Sequence, residues 1–172
     1  MSDYVNWLLE RHRKGTVLVD TNLLLLYFVG SFDPQEIPRF KRTRTFVTED
    51  YATLLNFLKW FEKIVTTPNI LTEVSNLSGH LPKHLRADYF KVFARGIRLL
   101  EEHYCSSADI SEMEEIKWLG LTDAGILHLA QDKYLVVTDD FKLSQYLEKK
   151  GIDVLNFNHI RPLNWAMPTQ SR

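Results

Sequence analysis

Thr16-Val17-Leu18-Val19-Asp20-Thr21-Asn22 is the stretch that decides the fold. Its first four residues are apolar or β-branched and do not alternate with polar ones, the pattern of a strand buried on both faces. Asp20-Thr21-Asn22 interrupts the run, and Leu23 to Val29 continues as a helix. The same grammar returns later. Tyr134-Leu-Val-Val-Thr138 reads as a buried strand, Asp139-Asp140 follows it, and Phe141 to Lys150 reads as a helix. Ile64-Val-Thr-Thr67 is a further strand, with Pro68 at a favourable first-turn position for a helix running to about Leu77. Ile152 to Phe157 is a fourth strand. Strands alternating with helices predict α/β architecture with a parallel sheet, because parallel strands need crossover helices.

Between these units the chain reads as follows. Ser2 and Asp3 can cap a first helix, with Val5, Leu8, Leu9 and His12 at helical spacing and Gly15 as its stop. Residues Gly30 to Thr48 hold two prolines and a basic cluster, Arg39, Lys41, Arg42 and Arg44, and read as a loop or insertion. Glu49-Asp50 opens a helix with Leu54, Leu55, Leu58 and Phe61 inward. A long helix is expected from about Pro82 to Tyr104, with Lys83, Arg86, Lys91, Arg95 and Arg98 on its basic side. A short acidic helix around Glu112 to Trp118 precedes another, capped by Thr122, from Asp123 to Asp132. The tail after Pro162 has little periodicity and is expected to be flexible. No repeat or linker divides the chain, which reads as one domain.

The 172 residues are 45% hydrophobic and 25% charged, which excludes disorder and provides for a core. With 21 Lys and Arg against 22 Asp and Glu, the net charge of −1 excludes strong non-specific attraction to nucleic acid, though not a local basic groove. The single cysteine, Cys105, allows neither an internal disulfide nor a cysteine-rich zinc site, and a reduced, cytoplasmic setting is expected. Leu23 to Val29 is too short to span a bilayer, and the N-terminus lacks the pattern of a signal peptide.

Acids stand at unusual places in this pattern. Asp20 and the pair Asp139-Asp140 follow strands, where α/β sheets bind their ligands, although each position also suits a helix cap. Asp123 lies in a first helical turn, where the helix dipole favours it, yet it shares a face with Leu127 and Ala130. Glu73 shares a face with Ile70 and Leu77 and is expected to meet the core, either as part of a site or reaching solvent or a buried Arg. Carboxylates aimed at one place repel each other and raise their pKa values, and a bound divalent cation reverses that. An all-oxygen donor set favours Mg²⁺ or Mn²⁺, and such a cage serves phosphodiester hydrolysis.

Four segments together resemble the PIN-domain family of metal-dependent ribonucleases: Val17-Leu-Val-Asp-Thr-Asn22, Thr67-Pro-Asn-Ile-Leu-Thr-Glu-Val-Ser75, Leu121-Thr-Asp-Ala-Gly-Ile126 and Val136-Val-Thr-Asp-Asp140. They occur in the family's order and span almost the whole chain. The resemblance implies a three-layer α/β/α sandwich around a parallel sheet. It implies an endoribonuclease that cuts single-stranded RNA with Mg²⁺ or Mn²⁺. By motif position Asp20, Glu73 and Asp123 match the first three acids and Asp140 the fourth, with Asp139 able to substitute. In that assignment Asp20, Asp123 and Asp140 hold metal, while Glu73 completes the cage or orients the attacking water. Asn22 matches a polar residue that bonds the first acid or the substrate, and Thr138 a hydroxyl that orients the acids. Compact members, such as the toxins of toxin–antitoxin pairs, begin almost at the first strand. The helix before it and the insertion at 30–48 are departures, suited to an oligomer interface, a substrate wall or a surface for an inhibitor such as an antitoxin. A homodimer is a further implication of the resemblance.

The remaining features are bland by comparison. The basic residues at Arg39 to Arg44 and Lys83 to Arg98 suit RNA phosphates or plain solvated faces, and at least one cluster is expected beside the acids. Trp60 and Phe61, or Trp118, suit stacking on bases but are expected in the core; His103 and Cys105 are expected to be structural, and His128 to be exposed or satisfied locally. The rival reading is a non-catalytic PIN-like module that binds RNA or protein. A phosphatase-like enzyme with Asp20 as nucleophile would want an acid where Asn22 stands.

Overall fold

The computed structural model describes residues 3–131 and 134–161. Helix α1 (Asp3–Arg11) leads into β1 (Thr16–Val19), followed by α2 (Thr21–Phe32), α3 (Thr48–Leu58), β2 (Lys63–Thr66), α4 (Pro68–Ser78), α5 (Lys83–Ile97) and β3 (Glu101–Glu102). Short α6 (Ser107–Ser111) and α7 (Ile116–Ala130) precede β4 (Leu135–Thr138), α8 (Phe141–Lys149) and β5 (Val154–Asn156). Among the described residues the strands form one parallel sheet in the order β3-β2-β1-β4-β5, flanked by helices as a three-layer α/β/α sandwich. The expected Ser2 cap, the end of the Asp123 helix at Asp132 and the tail after Pro162 lie outside the described residues.

The strands are buried because their sequences allow no solvated face. Val17, Leu18, Val19, Leu135, Val136 and Val137 are fully buried, packed among helices on both sides. Helix α2 lies equally deep, with Leu23 to Leu26, Phe28 and Val29 fully buried. Burial all round explains why its sequence shows no polar stripe. It runs on through Gly30, where a Cβ atom would lie 2.3 Å from the Tyr51 ring, so the close approach of α3 requires glycine there.

Several expectations change. The long helix ends at Ile97 rather than Tyr104, because Glu101–Glu102 leaves it to pair with Val65–Thr66 as a fifth strand. The segment between Gly30 and Thr48 is not a loose loop. It begins with the last turn of α2 and a 3₁₀ turn at Pro34–Glu36, then folds inward through Ile37, Phe40, Thr43 and Phe46, all buried. Trp118, expected in the core, is 58% exposed beside a break in α7 at Gly120, whose φ of 75° and ψ of 179° suit glycine almost alone. No described helix is long and apolar enough to cross a membrane.

Candidate functional site

Strand order creates the site. The chain leaves β1 toward β2 on one side and returns to β4 on the other, so β1 and β4 flank the switch point where such sheets open a crevice. Val19 pairs with Val137, and the Asp20 N–H donates to the Val137 carbonyl at 3.0 Å. Asp20 and Asp139 are thereby neighbours across two parallel strand ends.

Asp20 is 5% exposed. It occupies the N-cap position of α2, yet its side chain caps no backbone N–H of the helix. Its carboxylate instead accepts the Thr138 hydroxyl from the end of β4. Burial holds the Asp20 carboxyl up at about 7 against the Thr138 hydrogen bond, and Asp139 and Asp123 add to the rise. Asp123, on the first turn after the Gly120 break, is raised to about 6 by burial and then by Asp140 and Glu73. Asp139 is raised by burial, against the amide of Asn22, which donates to it at 3.1 Å.

The adjacent acids divide their work. Asp140 is the cap of α8 and accepts the N–H groups of Lys142 at 2.7 Å and Leu143 at 3.0 Å. Its own N–H donates to Thr138 Oγ1 at 2.9 Å. That leaves Asp139 to face Asn22. Asn22 bonds Asp139 rather than the first acid, Asp20, because it points across the switch point from the first turn of α2.

Glu73 faces solvent rather than the core. It is exposed, and the buried residues of α4 are Ile70, Leu71, Val74 and Ser78. The core stripe is centred on the far side of Ile70 from Glu73, a matter of about 100° per residue that the Ile70–Leu77 spacing left open. Glu73 still lies close enough to Asp123 to raise that carboxyl. Thr67 begins the helix by accepting the Ile70 N–H at 3.2 Å, with Pro68 in the first turn.

Sequence reasoning missed a second tier of residues. The Asn158 side chain donates to the Asp139 carbonyl at 2.9 Å and to Asn156 Oδ1 at 3.0 Å, and Asn156 in turn donates to Ser144 on α8. Arg161 reaches Asn158 Oδ1 at 3.1 Å, both carboxylate oxygens of Asp50 at 3.0 and 2.8 Å, and the Thr45 carbonyl at 2.9 Å. It lies close enough to Asp139 to lower that carboxyl. These pairs are separated by up to 116 residues, and no local signal announces them. Thr21 Oγ1, at the start of α2, and Thr66 Oγ1, at the end of β2, are buried without a hydrogen-bond partner among the described residues.

Asp20, Asp123 and Asp139 offer only oxygen donors and lie within reach of further carboxylates, with Arg161 as a nearby cation; donors of this kind suit a hard divalent cation. Among the described residues no three His, Cys, Asp or Glu side chains stand close enough together to grip an ion as placed. Comparison with models of known families gives no match, and comparison with curated proteins gives none.

Proposed function

We propose that the protein is a metal-dependent endoribonuclease of PIN type that hydrolyses phosphodiester bonds of single-stranded RNA. One observation carries the reading: Asp20 and Asp123 are held up at about 7 and about 6, by burial and by neighbouring acids. A fold does not keep such a cluster for stability, since separated or neutral side chains would serve better.

Asp20, Asp123 and Asp139 would hold Mg²⁺ or Mn²⁺, with Asp140 and Glu73 at the edge of the same field. The bound metal would supply Lewis acidity toward a phosphodiester oxygen and a more acidic water. The chain's own groups prepare the place. Thr138 fixes Asp20 and, through the Asp140 N–H, the loop that follows β4. Asn22 orients Asp139. Capping of α8 holds Asp140. Glu73, which is exposed, would accept a proton from water.

The test is a cleavage assay on mixed-sequence single-stranded RNA with Mg²⁺ or Mn²⁺, beside an EDTA control and Asp20→Asn. Metal-dependent cutting lost in Asp20→Asn supports the reading. Cutting that survives the substitution overturns the assignment of Asp20. No cutting together with no metal binding by calorimetry overturns the enzyme in favour of a non-catalytic module.

A further inference from the structure

The acid cluster poses a problem for its own proposed substrate. RNA is a polyanion, and an unneutralised group of carboxylates repels it. Cations must stand nearby, free of other partners and fixed in direction.

The segment between α2 and α3 meets these conditions. Ile37, Phe40, Thr43 and Phe46 turn inward and are buried, which leaves Lys41, Arg42 and Arg44 outward. The turn is stiff. Phe40 N–H donates to the Glu36 carbonyl at 2.8 Å, Thr43 N–H to Phe40 at 3.0 Å, and Phe46 N–H to Thr43 at 2.8 Å. The Thr43 hydroxyl adds a buried bond to the Ile37 carbonyl at 2.8 Å.

Two nearby acids are already taken. Glu36 pairs with Arg39 at 3.0 Å, and Asp50 pairs with Arg161 at 2.8 Å. Lys41, Arg42 and Arg44 have no ion pair or hydrogen bond among the described residues. Lys41 also lines a groove of about 430 Å³ with Arg39, His80 and His84, which carries the basic surface toward the turn between α4 and α5.

A bonded path ties this surface to the acids. Thr45, next to Arg44, accepts from Arg161; Arg161 donates to Asn158; Asn158 donates to the Asp139 carbonyl. Arg161 also lies over the Phe46 ring, 5.2 Å from its centre. We infer that Lys41, Arg42 and Arg44 form a phosphate-binding wall for single-stranded RNA, held at a set distance from the acids by Arg161. The inference deepens the nuclease reading and takes its substrate class from it. Phosphate contacts of this kind position a strand without reading its sequence.

The test is fluorescence anisotropy of a labelled 20-nucleotide single-stranded RNA in EDTA, with the full-length chain. Lys41→Ala/Arg42→Ala/Arg44→Ala should bind roughly tenfold more weakly at low salt. Its slope of log K against log salt should shrink by about 2, near 0.7 for each lost phosphate contact. Lys83→Ala/Arg95→Ala, with cations removed from α5, should match wild type in both. The triple variant should keep wild-type thermal stability, since all three side chains are exposed. Wild-type binding and salt slope in the triple variant overturn the wall, and so does a wild type that fails to bind RNA. Loss of binding to anionic lipid vesicles with RNA binding unchanged overturns it in favour of a membrane surface. Weakened RNA binding in the triple variant, with no cleavage by wild type under any metal, upholds the wall and overturns the nuclease reading alone.

Discussion

The Thr138 hydroxyl at the end of β4 donates to the Asp20 carboxylate at the end of β1, across 118 positions of sequence. The same oxygen accepts the Asp140 N–H at 2.9 Å. One buried hydroxyl therefore joins the first acid to the loop that carries the last two. Thr138→Val keeps the shape and removes the bond. It should cost about 1–2 kcal/mol in urea unfolding, since a buried carboxylate and a backbone N–H lose their partner. It should also weaken Mn²⁺ binding by calorimetry, and Thr138→Ser should restore most of both. Wild-type metal affinity in Thr138→Val would remove Thr138 from the site.

Stability in EDTA should report the buried acids. Asp20 sits at about 7 when folded against an ordinary 3.8, so the folded state holds a proton that the unfolded state releases between those values. The stability linked to that proton is fully present below about pH 4 and is lost as pH rises through about 7. Asp20→Asn cannot ionise. Its melting temperature should match wild type near pH 3.5 and exceed it at pH 8, where the difference reaches roughly 4 kcal/mol at about 1.4 per pH unit. Saturating Mg²⁺ should reverse the order by stabilising wild type alone. A difference independent of pH would mean that Asp20 does not titrate in this range.

Asp139 and Asp140 should separate cleanly by variant. Asp140→Asn keeps a cap and should hold its stability, whereas Asp140→Ala should lose about 1 kcal/mol by urea unfolding. Asp139→Asn removes a charge that caps nothing. It should leave the fold at least as stable and abolish metal-dependent RNA cleavage. Equal, mild effects on cleavage in Asp139→Asn and Asp140→Asn would show that neither is essential.

Arg161 is the tie between the basic segment and the acid loop. Asp50 is nearly buried, with 5% of its side chain exposed, so removing Arg161 leaves its charge with the Val47 N–H, at 2.8 Å, but no cation. Arg161→Ala should destabilise by about 2–4 kcal/mol. Arg161→Lys should recover only part of this, because one ammonium cannot serve Asp50, Thr45 and Asn158 together. Full recovery by lysine would show that charge alone matters there.

Much of the architecture was legible in residue order. Unbroken apolar runs at Thr16–Val19 and Leu135–Thr138 announced doubly buried strands, and Thr67-Pro68 announced a helix start. These signals are short-range: alternation, capping and proline geometry act within a few residues. The placing of acids directly after strands belongs to the same class, and it drew attention to Asp20, Asp139 and Asp140 before any contact was known.

The tertiary structure decided what depends on distant partners. The pairing of β1 with β4 put Asp20 beside Thr138, and burial by the surrounding layers displaced its titration. Direction mattered as much as proximity. Glu73 shares a helical face with Ile70 by count, yet the core lies on Ile70's other side, and only the packing of α4 could show that. Glu101–Glu102 reads as helix until β2 offers an open edge. Asp50 and Arg161 carry no mark of each other in sequence. Local pattern determines which elements form; long-range packing determines which of their side chains meet, because that choice rests on neighbours the local sequence does not contain.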